Sequence, residues 1–285
     1  MRHRPASLLS AALLGALVLL AGAAEAATLE RIRDSGVIKL GYRQDAAPFS
    51  YADKDGLPAG YSVGLCQAVA EAVRGELKRD DIKIEYVPVT AEGRFDEIQA
   101  GRIDLLCGAT TVTLERRAQV DFSLMTFVTG SSVLYRKDGP ANFLDLAGKK
   151  VGVRAGTTTE EGLKRALAEN GIAAEVVGVA DHHTGLSELE SGALSAYFAD
   201  RAILAMLGRE SQNPANLVLS DRYFSYEPYA LALQRGDDDF RLLVDSTLAR
   251  LYRTKAVVKI YQAYFGNSPM SELLQATFTL QALPE

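Results

Sequence analysis

The stretch Ile98-Gln-Ala-Gly-Arg-Ile-Asp-Leu-Leu106 has the pattern of a helix end, a glycine stop and a buried strand, and Leu189-Glu-Ser-Gly-Ala-Leu-Ser-Ala-Tyr197 repeats that order. Glycine commonly ends a helix, and a short apolar run after it is typical of a strand within a parallel sheet. Because one unit occurs twice in 285 residues, the sequence predicts an α/β protein with two similar lobes.

Apolar runs and amphipathic stretches alternate on both sides of these two copies. They predict strands at residues 37–41, 82–86 and 103–107 in the first block, strands at 150–154, 175–179 and 194–198 in the second, and a helical remainder at 239–265. Extended segments at 131–136 and 228–234 lie where the chain would cross between lobes. We therefore expect lobe 1 to comprise residues 27–130 and 229–285, and lobe 2 residues 131–228.

The first 26 residues have the pattern of a secretory signal peptide. Arg2 and Arg4 precede an uncharged apolar run from Leu8 to Leu20, and small residues flank Glu25 at the expected cleavage site. The run is shorter than the roughly 20 residues that span a membrane, which disfavours the alternative of an anchor. We expect export to the periplasm after removal of residues 1–26.

Composition restricts the partners of the chain. The formal net charge is -5, and no cluster of Lys or Arg is present that would bind a nucleic-acid backbone. The two cysteines, Cys66 and Cys107, are too few for a zinc site of their own, and no cofactor is expected. In an oxidising compartment they are either a disulfide or two separate thiols, and sequence spacing does not decide between these alternatives.

Two motifs after predicted strands are suited to binding a carboxylate. Cys107-Gly-Ala-Thr-Thr-Val-Thr-Leu-Glu-Arg116 and Gly156-Thr-Thr158 both place hydroxyls at the start of a helix, and the first adds an arginine. Free amides at a helix N-terminus and a guanidinium both bind anions. The alternative for either motif alone is simple helix capping by threonine.

A longer series of motifs occurs in order along the chain. Its members are Tyr42-Arg43, Pro48-Phe-Ser-Tyr51, Gly60-Tyr-Ser62, Val87-Pro-Val-Thr90 with Arg94, Ile103-Asp-Leu-Leu-Cys-Gly108, Thr110-Thr111 with Glu115-Arg116, Val120-Asp-Phe-Ser123, Gly156-Thr-Thr158, Asp181-His182, Leu189-Glu-Ser-Gly192 and Glu227-Pro-Tyr229. This series resembles the family 3 solute-binding proteins of polar amino-acid ABC transporters, and among them the glutamate/aspartate-binding branch. The resemblance covers residues 28 to about 265. It implies a type II periplasmic-binding-protein fold, in which two α/β lobes joined by two crossing strands close around one amino acid.

The resemblance also implies roles for individual residues. Those that match the α-carboxylate clamp are Arg116, Thr111 and Thr158, with the main-chain amide of Ala109. Asp200 matches the acceptor for the α-ammonium group, and the residues that match the side-chain carboxylate site are Arg43, Arg94 and His182. Ala91 and Ala109 stand where the branch has serine, which places the exact ligand in doubt.

Each of these residues also has an ordinary structural explanation. Arg43 and Arg94 are open to interpretation as solvated surface charges, His182 as a hydrogen-bonding residue at a strand end, and Asp200 as a helix cap. If they do line one cleft, three arginines against Asp200 leave two surplus positive charges, which favours an acidic ligand.

The function that follows is a binding protein, without catalytic residues, that delivers glutamate or aspartate to an inner-membrane ABC permease as a monomer. A secreted enzyme of the same fold, similar to cyclohexadienyl dehydratase, is the main alternative, because its arginines would also bind carboxylates. A binding protein for another polar amino acid and a receptor's sensing domain are further alternatives.

Overall fold

The computed structural model describes residues 27–285, and the signal-peptide prediction therefore lies outside the described residues. The helices are α1 (Thr28–Ser35), α2 (Tyr61–Leu77), α3 (Arg94–Gln99), α4 (Leu114–Arg117), α5 (Thr158–Glu169), α6 (His182–Ser191), α7 (Arg201–Glu210), α8 (Asp238–Arg253), α9 (Val257–Phe265) and α10 (Glu272–Leu280). The strands are β1 (Val37–Tyr42), β2 (Asp45–Ala46), β3 (Ser50–Ala52), β4 (Pro58–Ala59), β5 (Lys83–Pro88), β6 (Leu105–Cys107), β7 (Asp121–Thr129), β8 (Ser131–Arg136), β9 (Lys150–Arg154), β10 (Glu175–Val179), β11 (Ala196–Asp200), β12 (Leu217–Leu219) and β13 (Glu227–Leu233).

Two five-stranded sheets form the two lobes. The first has the order β5-β1-β6-β13-β7 and the second the order β10-β9-β11-β8-β12. In each sheet the first three strands are parallel and the last two run antiparallel to their neighbours. This confirms the α/β fold of two lobes. Within each sheet, the carboxyl ends of the three parallel strands lie at the same edge.

The chain passes from the first sheet to the second at Gly130, between β7 and β8, and returns just before Glu227. The two extended segments expected to cross thus each lie in one sheet, β8 in the second and β13 in the first, with an end at the crossing. A Cβ atom at Gly130 would collide with the main-chain oxygen of Ser225, so the two crossings touch here and only glycine fits.

The apolar cores explain why these strands hold together. Strand β1 buries Ile38 and Leu40 completely, and Phe49 packs edge to face on the rings of Phe127 and Tyr229 in lobe 1. Lobe 2 has its own buried cluster beneath β9 and β11. Fully burying side chains of this size stabilises each lobe by about 1.5–3 kcal/mol per residue.

One detail differs from the sequence prediction, and one alternative that the sequence left open is decided. The expected helical remainder is split into α8 and α9 near Lys255, whose backbone is left-handed with φ 58°, and α10 follows where no helix was predicted. Cys66 and Cys107 form a disulfide between α2 and β6, with Cα atoms 6.1 Å apart. The bond therefore fastens the helix layer to the strand that precedes the segment 108–111.

Candidate functional site

The candidate site lies where the carboxyl ends of the two sets of parallel strands meet. Side chains or main chain from opposite lobes touch there, since the hydroxyls of Thr158 and Thr111 are 3.3 Å apart and Arg94 Nη1 is 3.5 Å from the carbonyl oxygen of Gly156. A Cβ at Gly156 would lie 2.8 Å from Cγ of Glu92, so the lobes approach closely at this point. The structure therefore has a narrow cleft between the lobes.

The three arginines predicted from the sequence converge at this cleft. Arg43 follows β1 and Arg94 begins α3; they are 4% and 2% exposed, which contradicts the alternative of solvated surface charges. The guanidinium carbons of Arg94 and Arg116 lie 4.6 Å and 5.4 Å from the centre of the Phe95 ring. The ring of Phe95 therefore contacts both guanidinium groups.

Arg94 has little to offset its charge. It forms no ion pair with any residue in the range 27–285, and its buried Nε atom has no hydrogen-bond partner. Burial, together with the positive charges of Arg116 and Arg43, lowers the pKa of Arg94 well below its ordinary value. An anion placed against Arg94 would relieve both effects.

Arg116 lies in the short helix α4 and is only partly buried. Its Nη1 donates to the carbonyl oxygen of Thr111 at 2.9 Å. Burial lowers the pKa of Arg116, although the nearby charge of Glu227 opposes this. Thr113, not Thr111, caps α4 by accepting from the amide of Arg116, so the capping alternative is correct for Thr113 and not for Thr111.

Thr111 and Thr158 bind a carboxylate of the protein itself. Their hydroxyls donate to Oε2 of Glu227 at 2.6 Å and 2.9 Å, and Ser225 donates to Oε1 at 2.6 Å. Each hydroxyl has one proton, so while these bonds last neither hydroxyl can donate to a second carboxylate. Glu227 was in the motif series but was not predicted as a site residue.

At the second predicted helix start, one threonine caps the helix and the next one faces the site. Thr157 caps α5 through the amide of Glu160, so its hydroxyl is committed. Thr158 is the first residue of the helix, where main-chain amides have no partner within the helix. Its amide is therefore suited to an anion, whereas its hydroxyl faces Glu227.

Asp200 ends β11 and is buried. Tyr229 donates to its Oδ2 atom, while Oδ1 is buried without a hydrogen-bond partner. Its side chain does not cap α7, so the capping alternative is wrong. Burial, reinforced by the charge of Glu227, raises the pKa of Asp200 to about 7. A cation beside Oδ1 would lower that pKa again.

His182 is buried at the first position of α6 and does not lie at a strand end as one alternative assumed. Its Nδ1 atom is 2.8 Å from the hydroxyl of Tyr197. Burial lowers the pKa of His182 to about 3, so the ring is neutral at physiological pH. Ala109 lies in the segment after β6, directly before Thr110 and Thr111.

Three residues that the sequence analysis missed join the lobes beside this site. Arg154 at the end of β9 contacts Asp45 Oδ2 at 3.2 Å and Glu92 Oε1 at 2.5 Å, and both acids belong to lobe 1. Arg43 Nε also donates to Asp45 Oδ1, at 2.7 Å, and Arg43 Nη2 lies 2.5 Å from that oxygen without hydrogen-bond geometry. The available signal was position, since Arg154 lies two residues before Gly156, where the Gly156-Thr-Thr158 motif begins.

These residues correct the charge count. The positive residues around the cleft are Arg43, Arg94, Arg116 and Arg154, and the acidic ones are Asp45, Glu92, Asp200 and Glu227. The four positive and four negative charges cancel, so the predicted surplus of two positive charges is wrong. The ion pairs are unevenly distributed among them, because Arg43 and Arg154 have ion pairs whereas Arg94, Arg116, Asp200 and Glu227 have none within residues 27–285. Glu227 instead accepts three hydroxyl hydrogen bonds.

Four buried side-chain polar atoms lack a hydrogen-bond partner in the described part of the chain, namely Arg43 Nη2, Arg94 Nε, Thr110 Oγ1 and Asp200 Oδ1. Buried polar atoms are almost always paired, so this concentration around one cleft marks a binding site. No group of three or more His, Cys, Asp or Glu suited to a metal ion occurs in residues 27–285. None of the helices described there is long and apolar enough to cross a membrane.

Two α/β lobes with charged residues converging on the cleft between them define a ligand-binding protein of the two-lobed type. Residues 38–267 match the family of bacterial extracellular solute-binding proteins, family 3. The chain belongs to this family.

Among its relatives, the L-glutamate/L-aspartate-binding protein of Pseudomonas aeruginosa is 36% identical over 289 residues, covering 96% of this chain and 95% of that protein. The solved solute receptor for L-cysteine of Neisseria gonorrhoeae has a TM-score of 0.75 at 25% identity, with 87% and 99% of the two chains covered. An ancestral amino acid-binding protein that is a precursor of cyclohexadienyl dehydratase has a TM-score of 0.72 at 29% identity, with 84% and 99% covered.

Proposed function

We propose that the protein is the substrate-binding component of an amino-acid ABC transporter, which captures glutamate or aspartate between its lobes and delivers it to an inner-membrane permease. One observation carries the proposal: besides Glu227, whose carboxylate is held by three hydroxyl groups, the cleft contains two arginines and one aspartate that have no ion-pair partner within residues 27–285. An amino acid with two carboxylates and one ammonium group is the complement of that set. Relatives named for glutamate and aspartate support the same ligand.

The α-carboxylate is assigned to Arg116, with main-chain amides of Ala109 and Thr158. A guanidinium and free helix N-terminal amides together provide directed donors for one carboxylate. The hydroxyls of Thr111 and Thr158 take a different role from the one expected, since they hold Glu227. They set the position of the segment 108–111 against α5 when the lobes are closed.

The α-ammonium group is assigned to Asp200, whose Oδ1 atom is buried and unpaired. Tyr229 fixes the orientation of this carboxylate through Oδ2. An ammonium ion removed from water needs such a partner, because an unpaired buried charge costs about 3–5 kcal/mol. Glu227 adds negative potential nearby, which disfavours ligands that lack a positive group.

The side-chain carboxylate is assigned to Arg94, within the predicted group that also contains Arg43 and His182. Arg94 is the strongest candidate because it is buried, unpaired and adjacent to other positive charges. A neutral amino acid would leave this charge without a counterion, and a lysine-like ligand would add a like charge beside it.

A binding role is favoured over an enzyme of the same fold. Asp200 has the position of an ammonium acceptor, and the neutral ring of His182 contacts Tyr197, so neither residue forms a pair with an activated nucleophile. Relatives at about a third identity are named as binding proteins. Action in the periplasm as a monomer without a cofactor is part of the same proposal.

The test is isothermal titration calorimetry of the mature protein, stripped of ligand by unfolding and refolding, against each of the twenty common amino acids. Because the chain contains no tryptophan, heat is a better signal than fluorescence. Micromolar or tighter binding of glutamate or aspartate, with no response to lysine or arginine, is the expected result. Preferential binding of a neutral or basic amino acid would refute the proposal.

A further inference from the structure

Asp45 occupies the part of the cleft that the side-chain carboxylate of a ligand was expected to reach. Its carboxylate lies between Arg43 and Arg154, at 2.7 Å from Arg43 Nε and 3.2 Å from Arg154 Nε. Its side chain is only 12% exposed, and His182 is near enough to contribute to the lowering of its pKa. The protein thus supplies its own anion to Arg43, one member of the group Arg43, Arg94 and His182.

Asp45 remains ionised in this position. Burial alone would raise its pKa, but the positive charges of Arg43 and Arg154 outweigh that effect and the pKa is lowered. A second carboxylate against Arg43 would meet this negative charge at short range. Like charges at such a separation repel strongly at the effective dielectric of a protein surface, so Arg43 is a poor partner for a ligand's acidic group.

Arg94 is the remaining cation for that group, and it lies close to the arginine assigned to the α-carboxylate. Arg94 and Arg116 share the ring of Phe95, whereas Arg43 is paired with Asp45. With the Arg43 end closed by Asp45, the second carboxylate of a ligand has Arg94 as its cation, which favours the ligand with the shorter reach. Aspartate separates its carboxylates by one methylene fewer than glutamate does.

We infer that Asp45 is a specificity-determining residue, which closes the Arg43 end of the cleft and thereby selects aspartate over glutamate. The inference rests on the proposed function, since it concerns which acidic amino acid the same site prefers. One methylene in a fitted site typically changes affinity by about 10- to 200-fold. We expect the dissociation constant for aspartate to be lower than that for glutamate by about tenfold or more.

The chain offers a matched control for a test of Asp45. Arg136 and Asp138 have the same spacing as Arg43 and Asp45 and form the same kind of pair at 2.5 Å, but Asp138 is 69% exposed and lies on lobe 2 away from the cleft residues. The variants are Asp45→Asn, which keeps the shape and removes the charge, and Asp138→Asn. Calorimetry measures both ligands on each variant and on the wild type.

In Asp45→Asn, Arg43 is released and the Asp45–Arg154 pair is lost for both ligands alike, so we expect the aspartate preference to fall toward parity, while Asp138→Asn keeps the wild-type ratio. Equal affinities in the wild type, or an unchanged ratio in Asp45→Asn, would overturn the inference. Failure of the wild type to bind either ligand would instead refute the proposed function. If Asp45→Asn does not fold, the wild type titrated with aspartate, glutamate and the next longer homologue, 2-aminoadipate, decides: affinity must fall at each added methylene.

Discussion

Arg154 of lobe 2 and Glu92 of lobe 1 form a two-armed ion pair across the cleft, with Nη1–Oε1 and Nη2–Oε2 distances of 2.5 Å and 3.2 Å. Arg154 is almost completely buried by this contact and by Asp45, although the Glu92 side chain is 50% exposed. Because both acidic partners of Arg154 belong to the opposite lobe, its ion pairs stabilise only the closed arrangement.

Replacement of Arg154 by methionine should therefore shift the protein toward an open form. Breaking a buried pair costs about 3–5 kcal/mol, and the exposure of Glu92 reduces this, so we expect ligand affinity to fall by about tenfold. Small-angle X-ray scattering of the ligand-free protein should show a larger radius of gyration. Arg136→Met, which breaks an exposed pair within lobe 2, is the control and should change neither measurement.

Substitution of Arg116 and substitution of Arg94 should have different effects on a panel of amino-acid ligands. Arg116→Ala removes the assigned α-carboxylate contact, so we expect loss of binding for every amino acid, by about a hundredfold or more. Arg94→Ala should weaken acidic ligands and leave neutral ones little changed, because only the acidic ones reach it. Calorimetry with glutamate, aspartate, glutamine and asparagine checks this, and an equal loss across all four ligands for both variants would contradict the assignment.

Ligand affinity should depend on pH through Asp200. An ammonium group binds its ionised form, so below the pKa of about 7 the ligand must displace a proton. Affinity should then decrease by up to about tenfold per pH unit, roughly a hundredfold between pH 7.5 and pH 5. Calorimetry in buffers with different ionisation enthalpies should detect release of this proton at pH 6, and no release there would argue against Asp200 as the ammonium acceptor.

The same group has the opposite effect on the ligand-free protein. A carboxyl whose pKa is raised by folding stabilises the folded state fully at pH values below its unfolded pKa near 4, and that contribution is lost as the pH rises through about 7. The melting temperature without ligand should therefore contain a component that decreases between pH 5.5 and pH 8. Asp200→Asn, which cannot ionise, should lack this component.

The sequence was sufficient for the fold and for the residues that end parallel strands. A repeated helix, glycine and strand unit indicates a parallel sheet locally, and the carboxyl end of each strand then locates Arg43, Thr111 and Asp200 in advance. The eight predicted site residues all lie at or beside the cleft, although their individual roles stay predictions.

The sequence was insufficient where the site depends on contacts between the lobes. Asp45, Glu92 and Arg154 are all more than 40 residues apart, and each belongs to a stretch that is ordinary by composition. Only the relative placement of the lobes makes them partners. The charge count failed for that reason, since acids from both lobes entered the same small volume.

The bond between Cys66 and Cys107 reaches directly to the ligand end of β6, because Gly108 follows Cys107 and begins the segment that contains Ala109 and Thr111. The segment 108–111 is consequently anchored to helix α2 through this covalent bond, and its conformation should persist whether the cleft is open or closed. Protein produced in a reducing cytoplasm would contain two thiols instead. Weak binding by such protein would first indicate the missing disulfide and would not show that the ligand is wrong.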